Sequence, residues 1–288
     1  MIIKEQPLVS VLMTAYNREK YIGEAIESLL ASTYTNFELI IVDDGSIDAT
    51  VQIAKNYESK DGRIRVFVNE VNLGDYPNRN KAASYAKGKY IKYLDADDLI
   101  YPLGLELLVD GMERFPEAGW GLCSLDQDLK QIFPFQLKPL EAYQYHYRGP
   151  GLFHKAPLSS IIKKQVFDEV NGFKNIRMAG DYEMWHRLAQ KYPVVLMCHG
   201  IVWYRKHGSQ EINDYRKYIL EYDKIKFKYL TDNNCPLDKK TTVELLGKYL
   251  REIKKHIILS MAKLNFEDLK RNLTLLKLVA VSKPKTGD

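Results

Sequence analysis

The sequence predicts an α/β protein: a mostly parallel sheet with helices on both faces, followed by a helical C-terminal appendage. Over the first hundred residues, short β-rich runs alternate with segments of helical period, the rhythm of parallel strands joined by crossover helices. Those runs are apolar nearly throughout, as strands covered on both faces are. From about residue 212 the alternation gives way to continuous helical periodicity.

Each element follows from its own stretch. LVSVLMTA (8–15) is the first strand, and EKYIGEAIESLLAS after it places Ile22, Ala25, Ile26, Leu29 and Leu30 at helical spacing. FELIIVDDGS (37–46) is the second strand, and Val51, Ile53, Ala54 and Tyr57 mark the next helix. IRVFVN (64–69) is the third strand, YPNRNKAASYAKG (76–88) a helix ending at Gly88, and YIKYLD (90–95) the fourth strand. A helix over 102–115 leads to the strand AGWGLCSL (118–125). Residues 126–157 hold several prolines and little periodicity, and read as a long loop of the kind that carries function. A strand near LSSII, a helix near KKQVFDEV and a turn at Asn171-Gly172 follow. DYEMWHRLAQKY (181–192) is amphipathic, and PVVLMC and IVWYRK are strands. Three helices close the chain, separated near 232–236 and around 257–262. The expected division is a main unit over 1–211, with halves 1–100 and 101–211, and a helical region over 212–288.

Composition narrows the function classes. A hydrophobic fraction of 45% and an aromatic fraction of 11% belong to a globular chain with a large core. No apolar run is long enough to span a bilayer, since VVLMCHGIVWY (194–204) is short and interrupted. MIIKEQPLVSVLM has no basic region, long apolar core or cleavage site, so no signal peptide is expected. Cys123, Cys198 and Cys235 fit no zinc or disulfide framework and read as core thiols of a reducing cytoplasm. Residues 211–288 hold 17 Lys or Arg against 11 Asp or Glu, whereas the first 210 hold 25 against 26. A main body without basic excess argues against a nucleic-acid partner. The basic tail leaves open contact with anionic lipid or another subunit, beside the plainer reading of a helical appendage packed on the main unit.

Polar residues gather where the strands end: Thr14, Tyr16 and Asn17; Asp43 and Asp44; Asn72; Asp95 and Asp97. Ligands of open α/β sheets bind outside those carboxyl ends. YLDADD crowds Asp95, Asp97 and Asp98 into four positions, an unfavourable cluster unless a cation sits beside it. In an extended segment Asp95 and Asp97 point the same way. Two hard oxygen ligands with open coordination suit Mg2+ or Mn2+ holding a substrate diphosphate. Asp98 points elsewhere and reads as a turn or capping residue.

VSVLMTAYN, IIVDDGS, the Asn72-Leu73-Gly74 turn, Asn78-Arg79-Asn80 and YLDADD, in this order over residues 8–98, resemble the family 2 glycosyltransferases. These are inverting enzymes of the GT-A fold that use nucleotide-diphospho-sugars. The resemblance implies a nucleotide pocket formed by Thr14, Tyr16 and Asn17, with Tyr16 against the base. It implies that Asp43 accepts the imide N–H of a pyrimidine or guanine, with Asp44 beside it and Arg79 near base or phosphates. Asp95 and Asp97 become the metal and diphosphate site, with Mn2+ or Mg2+ as cofactor. Taken singly, Tyr16 reads rather as a packed core aromatic and Arg79 as a solvated helix residue.

The base of such a displacement is expected in a Glu-Asp pair opening a helix, with Trp-x-Arg downstream. NGFKNIRMAGDYEMWHRLA matches with Asp181, Trp185 and Arg187, but Gly180 stands where the Glu is usual. Asp181 is the expected base; the plain alternative is a helix cap. Glu183 competes but should face away. VWYRKHGSQ (202–210) resembles the family's Tyr-Arg-x-His segment, so His207 is expected to complete the metal shell. His186 and His199 read as structural. A UDP-sugar donor and a saccharide or lipid-linked saccharide acceptor follow from the resemblance. So does a cytoplasmic setting in bacterial surface polysaccharide or glycoconjugate synthesis, with peripheral membrane contact and homo-oligomerisation left open.

Two other readings stand beside this one. A sugar-phosphate nucleotidyltransferase shares the sheet and metal but wants a glycine-rich loop after the first strand, and TAYNREKY has no glycine. A catalytically inactive sugar-nucleotide-binding protein would not need Asp95, Asp97 and Asp181 together.

Overall fold

Strand β1 (Val9–Ala15) lies between β2 (Phe37–Asp43) and β4 (Tyr90–Tyr93), and β3 (Ile64–Val68) flanks β2, all four parallel. Alternate residues feed two separate cores. Leu12, Ile40, Val42, Ile91 and Tyr93 enter one, while Val11, Met13, Leu39, Ile41 and Tyr90 enter the other. That is why these strands read as unbroken apolar runs. Helices α1 (Ile22–Leu30) and α2 (Thr50–Glu58) cover one face, and α3 (Asp75–Ser84) covers the other. The computed structural model describes residues 6–208 and 216–281. The expected boundary at 211, together with Ser209 and Gln210, lies outside them.

Beyond β4 come β5 (Leu99–Ile100), α4 (Gly104–Arg114), β6 (Trp120–Leu125), β7 (Phe135–Leu137) and α5 (Pro139–Arg148). They are followed by β8 (Ser160–Lys163), α6 (Lys164–Glu169), α7 (Gly180–Lys191), β9 (Val194–Cys198) and β10 (Val202–Trp203). The eight-stranded sheet runs β3-β2-β1-β4-β8-β6-β9-β7, with β8 and β7 antiparallel to their neighbours. Helix α7 is anchored by Trp185, which stacks on Trp120 at 5.3 Å, both fully buried. β5 and β10 form a separate antiparallel pair that ties residues 99–100 to 202–203. Three helices, α8 (Ile219–Leu230), α9 (Lys239–Ala262) and α10 (Phe266–Val281), end the described chain.

The structure corrects several expectations. Residues 126–157 are not a structureless loop: they hold β7 and α5. Pro139 opens that helix, and the Lys138 N–H donates to Glu141 Oε2 at 2.7 Å. A proline at the first position with Glu two residues later is a helix-start signal the aromatic composition obscured. Helix α3 stops at Ser84, four residues short of Gly88. Close packing demands Gly88: a Cβ there would lie 2.6 Å from the Ser10 backbone N. The final helical break falls at 263–265, after the apolar run of α9 has finished, and not at 257–262. Cys123 is a core thiol as expected, but Cys198 is exposed.

Candidate active site

The order of strands reverses between β1 and β4, and the polar residues of the rim collect around that point. Thr14 is partly buried in register with Val42. Tyr16 is half exposed beyond the strand end. Asn17 adopts a left-handed φ of 52° and is pinned to the neighbouring turn: its N–H donates to Ser46 Oγ at 2.8 Å, and its Oδ1 accepts from Ile47 N–H at 3.0 Å. Asp43 is buried and organises that turn, accepting from the Gly45 and Ser46 N–H groups at 3.0 and 2.8 Å and from the Ser46 hydroxyl. Asp44, also buried, fixes the next loop by accepting from Asn69, Leu73 N–H and Gly74 N–H within 2.9 Å. Gly74, at φ 85°, then launches α3.

Residues 95–98 are not extended. The Asp98 N–H donates to the Asp95 carbonyl at 3.0 Å, so the chain turns and the period-two alignment of Asp95 with Asp97 is lost. Asp95 Oδ1 meets Arg79 Nη1 at 2.6 Å, an ionic contact not aligned as a hydrogen bond. Asp97 Oδ2 accepts from Arg18 Nε at 2.9 Å and lies 3.0 Å from His207 Nε2. Asp98 is buried, and its Oδ1 accepts from the Arg205 N–H at 2.8 Å. Burial, then the charge of Asp95, raises the Asp98 carboxyl to about 8. The cluster therefore does have cations, and the protein supplies them. Arg18, Arg79 and Arg205 surround it, with the His207 ring 3.0 Å from Asp97, while Lys92 is fully buried in β4 with its pKa pulled down to about 8 by burial.

The β5–β10 pairing explains how His207 arrives there. It lays the 204–207 segment beside the acid turn, and His207 stacks on Tyr21 at 4.9 Å.

Asp181 opens α7 and keeps some solvent exposure amid dense surroundings. Its Oδ1 accepts from the Tyr182 N–H at 2.7 Å and from the Tyr76 hydroxyl at 3.1 Å. Burial pushes its carboxyl up to about 7, against the opposing pull of those two donors and Arg79; Asp75 adds to the rise. Tyr76 lies three residues before Arg79 on α3, so one helical face reaches Asp181 with one side chain and Asp95 with another. Sequence reasoning missed Tyr76 and Arg18. The spacing of Tyr76 and Arg79, and the cation directly after Tyr16-Asn17, were the available signals.

The absent glutamate at 180 has a steric cause. A Cβ on Gly180 would lie 2.6 Å from the Lys174 carbonyl oxygen and 2.7 Å from the Tyr76 ring. Glu183 does face away, as expected: buried, it binds Lys174, Arg187 and Tyr229, which hold its pKa below the usual carboxylate range against the cost of burial. Arg187 in turn donates to the Gly172 carbonyl at 2.8 Å, fixing the turn before α7. His186 is buried against Tyr147 and Tyr182, and burial lowers it to about 3; His199 is exposed beside Asp126 at 2.9 Å. His186 is thus a core residue and His199 a surface one.

The donor set suits a divalent cation in part. Asp97 Oδ2 and His207 Nε2 converge to 3.0 Å, and Asp95 Oδ1 is buried without an aligned hydrogen-bond donor. Among the described residues no group of three acidic, histidine or cysteine side chains could hold an ion alone. An ion here needs ligands from the substrate, as Mg2+ and Mn2+ sites on diphosphates do.

The model of glycosyl transferase family 2 matches residues 10–170. Glycosyltransferase MJ1057 of Methanocaldococcus jannaschii, itself uncharacterised, is 37% identical over 213 residues, covering 70% of this chain and 71% of that protein. Glycosyltransferase GlyG of Streptococcus pneumoniae is 30% identical over 226 residues, 70% and 72% of the two chains. Among solved structures, S. aureus TarS 1–349 in complex with UDP-GlcNAc superposes with a TM-score of 0.71 at 19% identity, covering 96% of this chain and 81% of that one. The mannosyltransferase PcManGT from Pyrobaculum calidifontis, in complex with GDP-Man and Mn2+, gives 0.59 at 14% identity, with 96% and 87% covered. At these identities the structural likeness concerns the fold, and it is the GT-A fold the sequence led us to expect.

Proposed function

The chain belongs to glycosyl transferase family 2, and from that premise we propose that it is an inverting, metal-assisted transferase. It moves a sugar from a nucleotide-diphospho-sugar, with a UDP-sugar favoured, to a hydroxyl of a saccharide or lipid-linked saccharide. One observation carries the reading: helix α3 joins the acid turn to the base, with Arg79 on Asp95 and Tyr76 on Asp181.

The half-exposed Tyr16 offers an aromatic face to the nucleobase. Asp43 Oδ2 accepts one donor, the Ser46 hydroxyl, and retains capacity for a base imide N–H. That group occurs in uracil, thymine and guanine, which accords with neighbours solved with UDP-GlcNAc and GDP-Man. Arg18, Arg79 and Arg205, each paired with a carboxylate, stand beside the acid turn where a diphosphate could take over part of their contacts. Asp97 and His207, with Asp95 beside them, would hold a divalent cation, Mn2+ or Mg2+, whose chemistry is Lewis-acid neutralisation of the departing diphosphate.

Asp181 accepts the acceptor hydroxyl's proton as that oxygen bonds to the anomeric carbon. The bond from that carbon to the diphosphate oxygen breaks with its electron pair leaving on the diphosphate, and the configuration inverts. A carboxyl near 7 is poised for this task at neutral pH. Residues 1–211 form the catalytic unit in this reading, with 212–288 appended, and synthesis of bacterial surface polysaccharide or glycoconjugate is the setting. The test is release of nucleoside diphosphate from a panel of UDP- and GDP-sugars with Mn2+ and pooled saccharide acceptors. Release that requires the cation and is lost in D97N supports the reading; release unaffected by EDTA and by D97N contradicts the metal site.

A further inference from the structure

The α9–α10 hairpin carries a surface that glycosyl transfer does not use. Its inner side is packed, with Leu245, Leu246, Ile253, Leu275 and Val279 buried in the common core. At its tip the pattern inverts: Leu264 is 74% exposed and Phe266 73%, with Ile258 and Met261 also more than half exposed. Leu264 stands in the connection with a left-handed φ of 52°. On α10, Phe266, Lys270, Leu273 and Lys277 fall on one stripe, spaced by four, three and four residues, and they line a shallow hollow. On α9, exposed Lys254 and Lys255 stand four and three residues before Ile258, flanking it on the helix surface. Residues 248–277 hold eight Lys or Arg against three Asp or Glu.

Apolar side chains of this size, clustered and solvent-exposed, mark a contact surface. The chemistry of the occupant follows from their interleaving. A protein interface has an apolar centre depleted of lysine, with charge at the rim. Here lysines alternate with the apolar groups at the same level, as on helices lying in the plane of a lipid interface. Their aliphatic stems can follow the apolar surface while the ammonium groups reach phosphate. Among the described residues no helix is long and apolar enough to cross a membrane, so the contact is peripheral.

We propose that the tip of the α9–α10 hairpin docks onto an anionic lipid surface. Leu264 and Phe266 enter the boundary between headgroups and acyl chains, and Lys254, Lys255, Lys263 and Lys270 meet lipid phosphates. The proposal does not depend on the reading of the active site, and its test involves no catalysis.

The full chain is floated with phosphatidylcholine vesicles, with and without phosphatidylglycerol. Capture by the anionic vesicles alone, weakening as salt rises, is expected. K263Q/K270Q should lower the apparent affinity about twenty-five-fold, from about fivefold per lysine. L264D/F266D should abolish capture while leaving the thermal melt unchanged, because both side chains already stand in solvent. Equal capture by neutral vesicles, no capture at all, or capture unchanged in the variants overturns the proposal. So does a dimer in sedimentation equilibrium that L264D/F266D dissolves, since a second copy would then cover this face.

Discussion

The Tyr76 hydroxyl donates to Asp181 Oδ1 at 3.1 Å, joining two residues 105 positions apart in the chain. The donor favours the charged carboxylate and opposes the rise that burial imposes on Asp181. Tyr76 is itself buried and leans on Phe173 at 5.4 Å, so the donor is held in place. Y76F should therefore raise the pKa of Asp181 by about one to two units, since a hydrogen bond to a charged group contributes about 1.5–3 kcal/mol. With Asp181 as the proposed base, its charged form is the active one; turnover should then fall as pH drops through about 7, and in Y76F that fall should begin at higher pH. The check is the pH profile of nucleoside diphosphate release. An unmoved acid limb contradicts the role of Tyr76.

Asp181 also makes stability depend on pH. Its folded pKa of about 7 lies above the ordinary 3.8, so the folded state binds the proton more tightly than the unfolded one. Stability from this group is present at low pH and declines as pH rises from about 4 to about 7. D181N removes that decline. It should be more stable than the parent at pH 8 by up to about 4 kcal/mol, with a smaller gain at pH 5. Urea denaturation at the two pH values measures it; a D181N protein less stable at pH 8 would count against the burial of this charge.

Gly180 should tolerate no side chain. G180A puts a methyl group 2.6 Å from the Lys174 carbonyl oxygen and 2.7 Å from the Tyr76 ring, and should cost about 1–3 kcal/mol in denaturant unfolding. Because the clash bears on Tyr76, turnover should fall as well. Unchanged stability would show that the start of α7 yields.

Glu183 is the control carboxylate. Removing it leaves Arg187 without its buried counter-ion, so E183A should cost about 3–5 kcal/mol. The acid limb of the pH profile should nevertheless stay near 7 in the folded fraction. A displaced limb would reassign the base.

The two halves of the site differ in how legible they were. The parallel strands announced themselves because both faces are buried, and the acids at their ends stood out against apolar runs. Asp98 was set apart on the same two-residue period; the structure buries it within the same turn, where it accepts from the Arg205 N–H. The geometry of Asp95 and Asp97 was misread. A two-residue period was extended past Tyr93, whereas a backbone hydrogen bond from Asp98 to Asp95 turns the chain there. Local sequence does not display such a bond. Nor could it display the contacts of Tyr76 with Asp181 or Arg18 with Asp97, which depend on how separate βα units pack. Helix α5 was legible in principle from Pro139 and Glu141, but its aromatic and polar composition hid the period.

The decisive measurement compares D181N with the parent in two assays: nucleotide binding by titration calorimetry in Mn2+, and release of UDP from the best UDP-sugar donor. Asp181 as the general base predicts UDP affinity within about twofold and turnover lowered by about a thousandfold, within the range such groups contribute. Turnover within tenfold of the parent, with binding intact, would place the base elsewhere.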